Sequence, residues 1–134
     1  MKIVLTHEES ESYFYDSLCN SLGYIESGYD LELNYKDEDF NTAKSHLKAQ
    51  LGVDVCICYE DILLQILKDG NSLTLTDNGY DSYTSTITLK DVHEKVANTP
   101  INHLLAMVNE NGDACTGDVI LQSVFFVMLF SVNY

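Results

Sequence analysis

Four cysteines (Cys19, Cys56, Cys58, Cys115) and four histidines (His7, His46, His93, His103) are the side chains in this sequence best suited to chemistry. A thiolate beside an imidazole would be a nucleophile, and a Cys/His set in the right pattern would hold zinc. The spacing supports neither. Cys56 and Cys58 form C-x-C, which is not the paired spacing of a zinc ribbon or finger, and no second Cys or His pair follows at the expected distance. No recognisable motif surrounds Cys19 or Cys115, and acidic surroundings favour the thiol over the reactive thiolate. Four cysteines without a secretory signal point instead to a reducing compartment, with Cys56 and Cys58 acting as small hydrophobes on one face of a strand within the apolar run Val53–Tyr59.

The carboxylates are the other candidates. Asp77–Asp81 (D-N-G-Y-D) and Asn109–Asp113 (N-E-N-G-D) bring oxygen ligands close to a Gly, but neither has the ligand spacing of an EF-hand. Both read as turns, where Asp, Asn and Gly are favoured for backbone reasons. Glu8, Glu9 and Glu11, and Asp37, Glu38 and Asp39, sit where helix N-termini attract acids, which accounts for them without acid–base catalysis. There is no Gly-rich loop able to cradle phosphate. The expectation is a protein that is not an enzyme and has no metal and no cofactor.

What sets the chain apart is charge. It carries 21 acidic residues against seven basic ones, all seven of them Lys, for a net charge of −14. Without Arg it lacks the planar, two-pronged cation best suited to phosphate, and without clustered cations it cannot displace counterions from a nucleic acid. Direct nucleic-acid binding is therefore excluded, and the expected partner is a basic protein. The bias is uneven: residues 1–61 hold 13 acids and four Lys, whereas residues 62–134 hold eight acids and three Lys. Carboxylates spread along two helices would imitate a phosphate track, as in a DNA mimic. Tyr13, Tyr15, Tyr24, Tyr29 and Tyr35 lie in the same acidic half, and Tyr is enriched at interfaces. The candidate partner-binding residues are Glu8, Glu9, Glu11, Asp16, Asp37, Glu38 and Asp39.

These residues need elements to hold them. At 134 residues and 46% apolar composition the chain suits one domain with one core. Met1–Thr6 reads as a strand. T-H-E-E from Thr6 to Glu9 is a capping box opening a helix whose stripe is Tyr13, Phe14, Leu18, Cys19 and Leu22, with Gly23 as its stop. Tyr29–Tyr35 alternates as a half-buried strand. Asp37–Asp39 cap a second helix to about Leu51, with Phe40, Ala43, Leu47 and Leu51 as its apolar face. A third helix carries Ile62, Leu63, Ile66 and Leu67 up to Gly70. Residues 72–89 alternate as a β-hairpin. Thr88–Asp91 starts a short helix, and Thr99-Pro100 another, with Thr99 as N-cap and Ile101, Leu104, Leu105 and Val108 inward. Val119–Phe126 is a helix, and Val127–Val132 either continues it or forms a strand. The apolar run Val119–Val132 is too short to span a bilayer. The expected class is α+β: a single small domain with a mixed or antiparallel sheet packed against four to five helices, cytoplasmic and off the membrane.

The segments YEDILLQILKDG, LTLTDNG, TITLKDVHEKV, TPINHLLAMV and GDVILQSVFF, across residues 57–126, resemble small uncharacterised acidic accessory proteins of bacteriophages and mobile elements of gut bacteria. That resemblance implies no active-site residues. It implies a phage-type accessory role, by analogy with small acidic phage inhibitors of host nucleic-acid enzymes, including some anti-CRISPR and restriction-inhibitor proteins. The expected function is a protein-binding module, an inhibitor of a host defence or nucleic-acid-handling protein. The alternative is an assembly subunit that forms a homo-oligomer through Phe125–Phe130.

Overall fold

A computed structural model describes residues 4–28, 31–52, 54–77, 84–110 and 114–125. They form six α-helices and three strands: α1 (His7–Gly28), β1 (Leu31–Asn34), α2 (Asp37–Leu51), α3 (Tyr59–Lys68), β2 (Leu73–Asp77), β3 (Thr84–Ile87), α4 (Leu89–Lys95), α5 (Ile101–Val108) and α6 (Ala114–Phe125), with a 3₁₀ turn over Val96–Asn98. The class is α+β in a single small domain, with six helices where four to five were expected. The sheet is antiparallel, in the order β1-β2-β3.

One face of the sheet supplies core. Leu33 pairs with Leu75 and Leu73 with Ile87, and all four side chains are buried. Thr74 and Thr86 lie on the other face with their hydroxyls 3.0 Å apart, as the two-residue period of a strand requires. Ser85 is bonded through its hydroxyl to the Phe125 carbonyl, tying β3 to the end of α6.

Helix α1 opens as its sequence dictates. The Glu9 amide donates to Thr6 Oγ1 at 3.1 Å and the Thr6 amide to Glu9 Oε1 at 2.9 Å, the reciprocal capping box. Ser10, Phe14, Ser17, Leu18, Ser21 and Leu22 recur at helical spacing and are buried. Their main partner is α6, on which α1 packs most extensively. The backbones approach closely there: a Cβ added at Gly117 would overlap the Ser21 hydroxyl and lie 3.3 Å from Ser17 Cα. Phe14 and Phe125, both buried, meet across the same seam with ring centroids 6.4 Å apart.

Several expectations are corrected. Val4–Thr6 are not in a strand, while Met1–Ile3 lie outside the described residues. Gly23 does not end α1, which runs on to Gly28. A helical Gly costs about 1 kcal/mol, and packing against α6 and β1 outweighs it. The N-cap of α2 is Lys36 without a side-chain bond, and Asp37–Asp39 form the first turn instead. Leu51, meant for its buried face, is 53% exposed.

Val53–Tyr59 is not a strand either: residues 54–58 are turn and coil, with Val53 outside the described set. The chain needs this stretch for a different purpose. Phe40 contacts Tyr59 at one end of the α2/α3 pair, and His46 contacts Asp69 at the other, so the two helices run the same way. A connection between parallel helices must travel back along their length, and extended coil does so in few residues. Cys56 and Cys58 are exposed as a result, as are Cys19 and Cys115.

The later helices follow their signals more closely. Gly70 (φ +90°) ends α3 in a Schellman turn, its amide bonding to Leu67 and the Asn71 amide to Ile66. Thr88 and Asp91 form the expected capping box of α4. Pro100, not Thr99, is the N-cap of α5. Thr99 is buried, its hydroxyl without a hydrogen-bond partner among the described residues. Ile101 and Val108 are 40% exposed, and Leu104 with Met107 makes the buried face. Helix α6 begins at Ala114, five residues before the expected Val119, and residues 126–132 lie outside the described set.

Candidate functional site

The seven predicted carboxylates divide between the starts of α1 and α2. Two have structural duties: Glu9 closes the cap of α1, and Glu11 is only 19% exposed. Glu11 Oε2 accepts a bond from His93 Nε2 at 2.8 Å and Oε1 lies 3.8 Å from Lys68 Nζ, so one carboxylate ties α1 to α4 and α3. His7 stacks on His93, with centroids 3.9 Å apart and the planes within 6°. Glu8, Asp37 and Glu38 are exposed, and Asp16 and Asp39 are half-buried.

Helices α1 and α2 both pack on α3, whose first turn lies beside the middle of α1, at Tyr15 and Cys19, and beside the first turn of α2, at Phe40. This turn, Tyr59-Glu60-Asp61, was not among the predicted site residues. On the α1 side the Tyr15 hydroxyl is hydrogen-bonded to Asp61, and that bond, followed by one to Cys19 and by burial, pushes the phenol well above its ordinary range. The Cys19 thiol is raised chiefly by burial, with Glu60, Asp16 and Asp61 adding to it, which places all three acids around it. Burial likewise raises Tyr13, reinforced by Glu9, Asp16 and Glu110. Between α1 and α3 lies an open groove of about 400 Å³ walled by Glu8, Glu11, Tyr15, Asp61, Leu64 and Lys68.

On the α2 side, Tyr35 stacks on Phe40 at 5.1 Å, and Tyr59 leans against both at 6.3 and 6.1 Å. In sequence, Tyr35 and Phe40 flank Asp37, Glu38 and Asp39, and Tyr59 precedes Glu60. Asp16 of α1 thus meets Glu60 and Asp61 around Cys19, the first turn of α3 meets the first turn of α2 through Tyr59 and Phe40, and Glu11 lies toward the other end of α3, at Lys68. One signal for the missing turn was in the sequence: Y-E-D at the head of an amphipathic stripe is a first turn, where acids are favoured.

No group of three or more His, Cys, Asp or Glu among the described residues is placed to hold a metal ion. No helix among the described residues is long and apolar enough to cross a membrane. No protein-family model, curated protein or solved structure matches this chain.

Proposed function

We propose that this protein is a non-enzymatic binding module that docks a basic partner protein through an acidic surface made by acids along α1 and the first turns of α3 and α2. The observation that carries the reading is the bridging turn Tyr59-Glu60-Asp61, which links two acidic groups more than 20 residues apart in sequence through Asp61–Tyr15 and Tyr59–Phe40 contacts. A surface rich in carboxylates steers a cationic surface and suppresses anionic partners. A nucleic-acid-handling enzyme, whose own surface is built to receive phosphates, is the natural class of target, and the protein would act on it as a decoy for nucleic acid. The self-assembly alternative rested on residues 125–130; Phe125, the one of these in the described set, is buried in the core.

The test is affinity capture from bacterial lysate with the wild-type protein and with an Asp37→Asn, Glu38→Gln, Asp39→Asn, Glu60→Gln variant. Expected is a basic protein held at low salt, released at high salt and not captured by the variant, because exposed charges are screened over about 8 Å at physiological ionic strength. A partner captured equally well by both proteins, or at all salt concentrations, would rule out the acidic surface as the docking site.

A further inference from the structure

The connection between α2 and α3 carries two thiols that the docking reading does not use. Cys56 and Cys58 are both exposed, whereas Ile57 between them is half-buried and packs against the core. Cys58 has extended dihedral angles (φ −74°, ψ 151°), and the burial alternates as in an extended chain, Ile57 inward and both cysteines outward. The stretch is pinned on either side. The Val55 amide donates to the Gly52 carbonyl at 3.3 Å, and the Ile62 amide to the Cys58 carbonyl at 3.4 Å. Cys58 is the N-cap of α3, yet its thiol makes no capping bond. Two residues of extended chain span about 6.6 Å. That is close to the upper limit for the Cα atoms of a disulfide, which prefer about 5.5–6 Å. A cation between the sulfurs, with metal–sulfur bonds of about 2.3 Å on each side as for zinc, bridges this span better than an S–S bond of about 2.0 Å. Thiolates select soft cations, so the neighbouring Glu60 and Asp61 are poor competitors. Structural zinc takes four ligands, and no group of three or more His, Cys, Asp or Glu among the described residues is placed to hold a metal. Monovalent copper is soft and is satisfied by two thiolates in line.

We infer that Cys56 and Cys58 form a two-thiolate site for monovalent copper, held in shape by the packing of Ile57. Binding releases one proton from each thiol and leaves the oxidation state of the copper unchanged. The site is independent of the docking reading and goes beyond it.

The probe is copper(I), added anaerobically as its acetonitrile complex to the reduced full chain against a chromophoric copper(I) chelator. Wild type and Cys115→Ser should each take one copper per chain, with the mass by light scattering unchanged. Cys56→Ser and Cys58→Ser should each weaken binding by about a hundredfold, since even a change behind a metal ligand costs about 10–100-fold. Ile57→Gly, its fold checked by circular dichroism, should bind about tenfold more weakly, because the metal must then order a freer chain. Wild-type affinity in either Cys→Ser variant overturns the site. One copper per two chains with a doubled mass also overturns it, by moving the ligands to a contact between copies. Equal affinity in wild type and Ile57→Gly reduces the pair to a flexible dithiol that the fold does not shape, and the inference fails. Zinc that displaces the copper at one equivalent overturns the choice of metal.

Discussion

Two sides of α1 show opposite uses of a helix. Toward α6 it presents Ser10, Phe14, Ser17, Leu18, Ser21 and Leu22, every one of them buried. Toward α3 it presents Glu8, Glu11 and Tyr15, lining an open groove. The first side is built from small and apolar groups that let two backbones approach. The second is built from polar and charged groups that meet across the groove, Glu11 with Lys68 and Tyr15 with Asp61. Stability is concentrated in the seam, where packing density transmits any change of volume, and recognition is left to the acidic side, where substitutions cost little.

The sharpest way to break this contrast is to widen the seam. Gly117→Val places branched atoms against Ser21 and the Ser17 backbone, and the expected loss is about 3 kcal/mol, the upper end for overpacking. Urea unfolding with an unchanged m-value measures it. A loss below about 1 kcal/mol, an ordinary surface value, would mean the helices part easily. Next comes Glu11, the one acid of the open side with a structural duty. Glu11→Ala strands His93 and Lys68, and removing a charged hydrogen-bond partner costs about 2 kcal/mol. A thermal midpoint equal to wild type would show that the tie between α1, α3 and α4 carries no stability.

The smallest effect belongs to the cap of α4. Thr88→Ala should cost about 1 kcal/mol. Its partner Asp91 adds a pH signature. Burial works to raise this carboxyl, but the Thr88 amide, together with Lys95, outweighs it and the net shift is downward from 3.8. A depressed folded value means stability that is present above the unfolded value and lost as pH falls through the folded one. Asp91→Asn should therefore flatten the stability–pH curve below about pH 4 and be less stable than wild type above it. An acid limb as steep as that of wild type would remove Asp91 from the account.

Local signals in this chain were legible wherever backbone chemistry decides the outcome. The Thr6–Glu9 and Thr88–Asp91 boxes, the Gly70 stop and the Leu73–Ile87 hairpin all rest on bonds between residues near in sequence. Reading failed where the answer lay in a distant partner. Gly23 could end a lone helix, but α1 has a second helix along its flank. Val53–Tyr59 has the composition of a strand, yet no strand among the described residues pairs with it, because α2 and α3 run parallel and need a returning connection there. Of the candidate site, the acids of α1 and α2 were visible as charge, and their link through Tyr59-Glu60-Asp61 was not.

The sequence by itself determined an acidic α+β domain, because net charge, helix caps and two-residue alternation are written in single residues and their near neighbours. Only the tertiary structure decided which acids share a surface, which cysteines face water and which rings come together. Those facts depend on how helices far apart in the chain are laid side by side, and burying the apolar stripes of α1, α3 and α6 in one core fixes that arrangement with no regard to what the opposite faces carry.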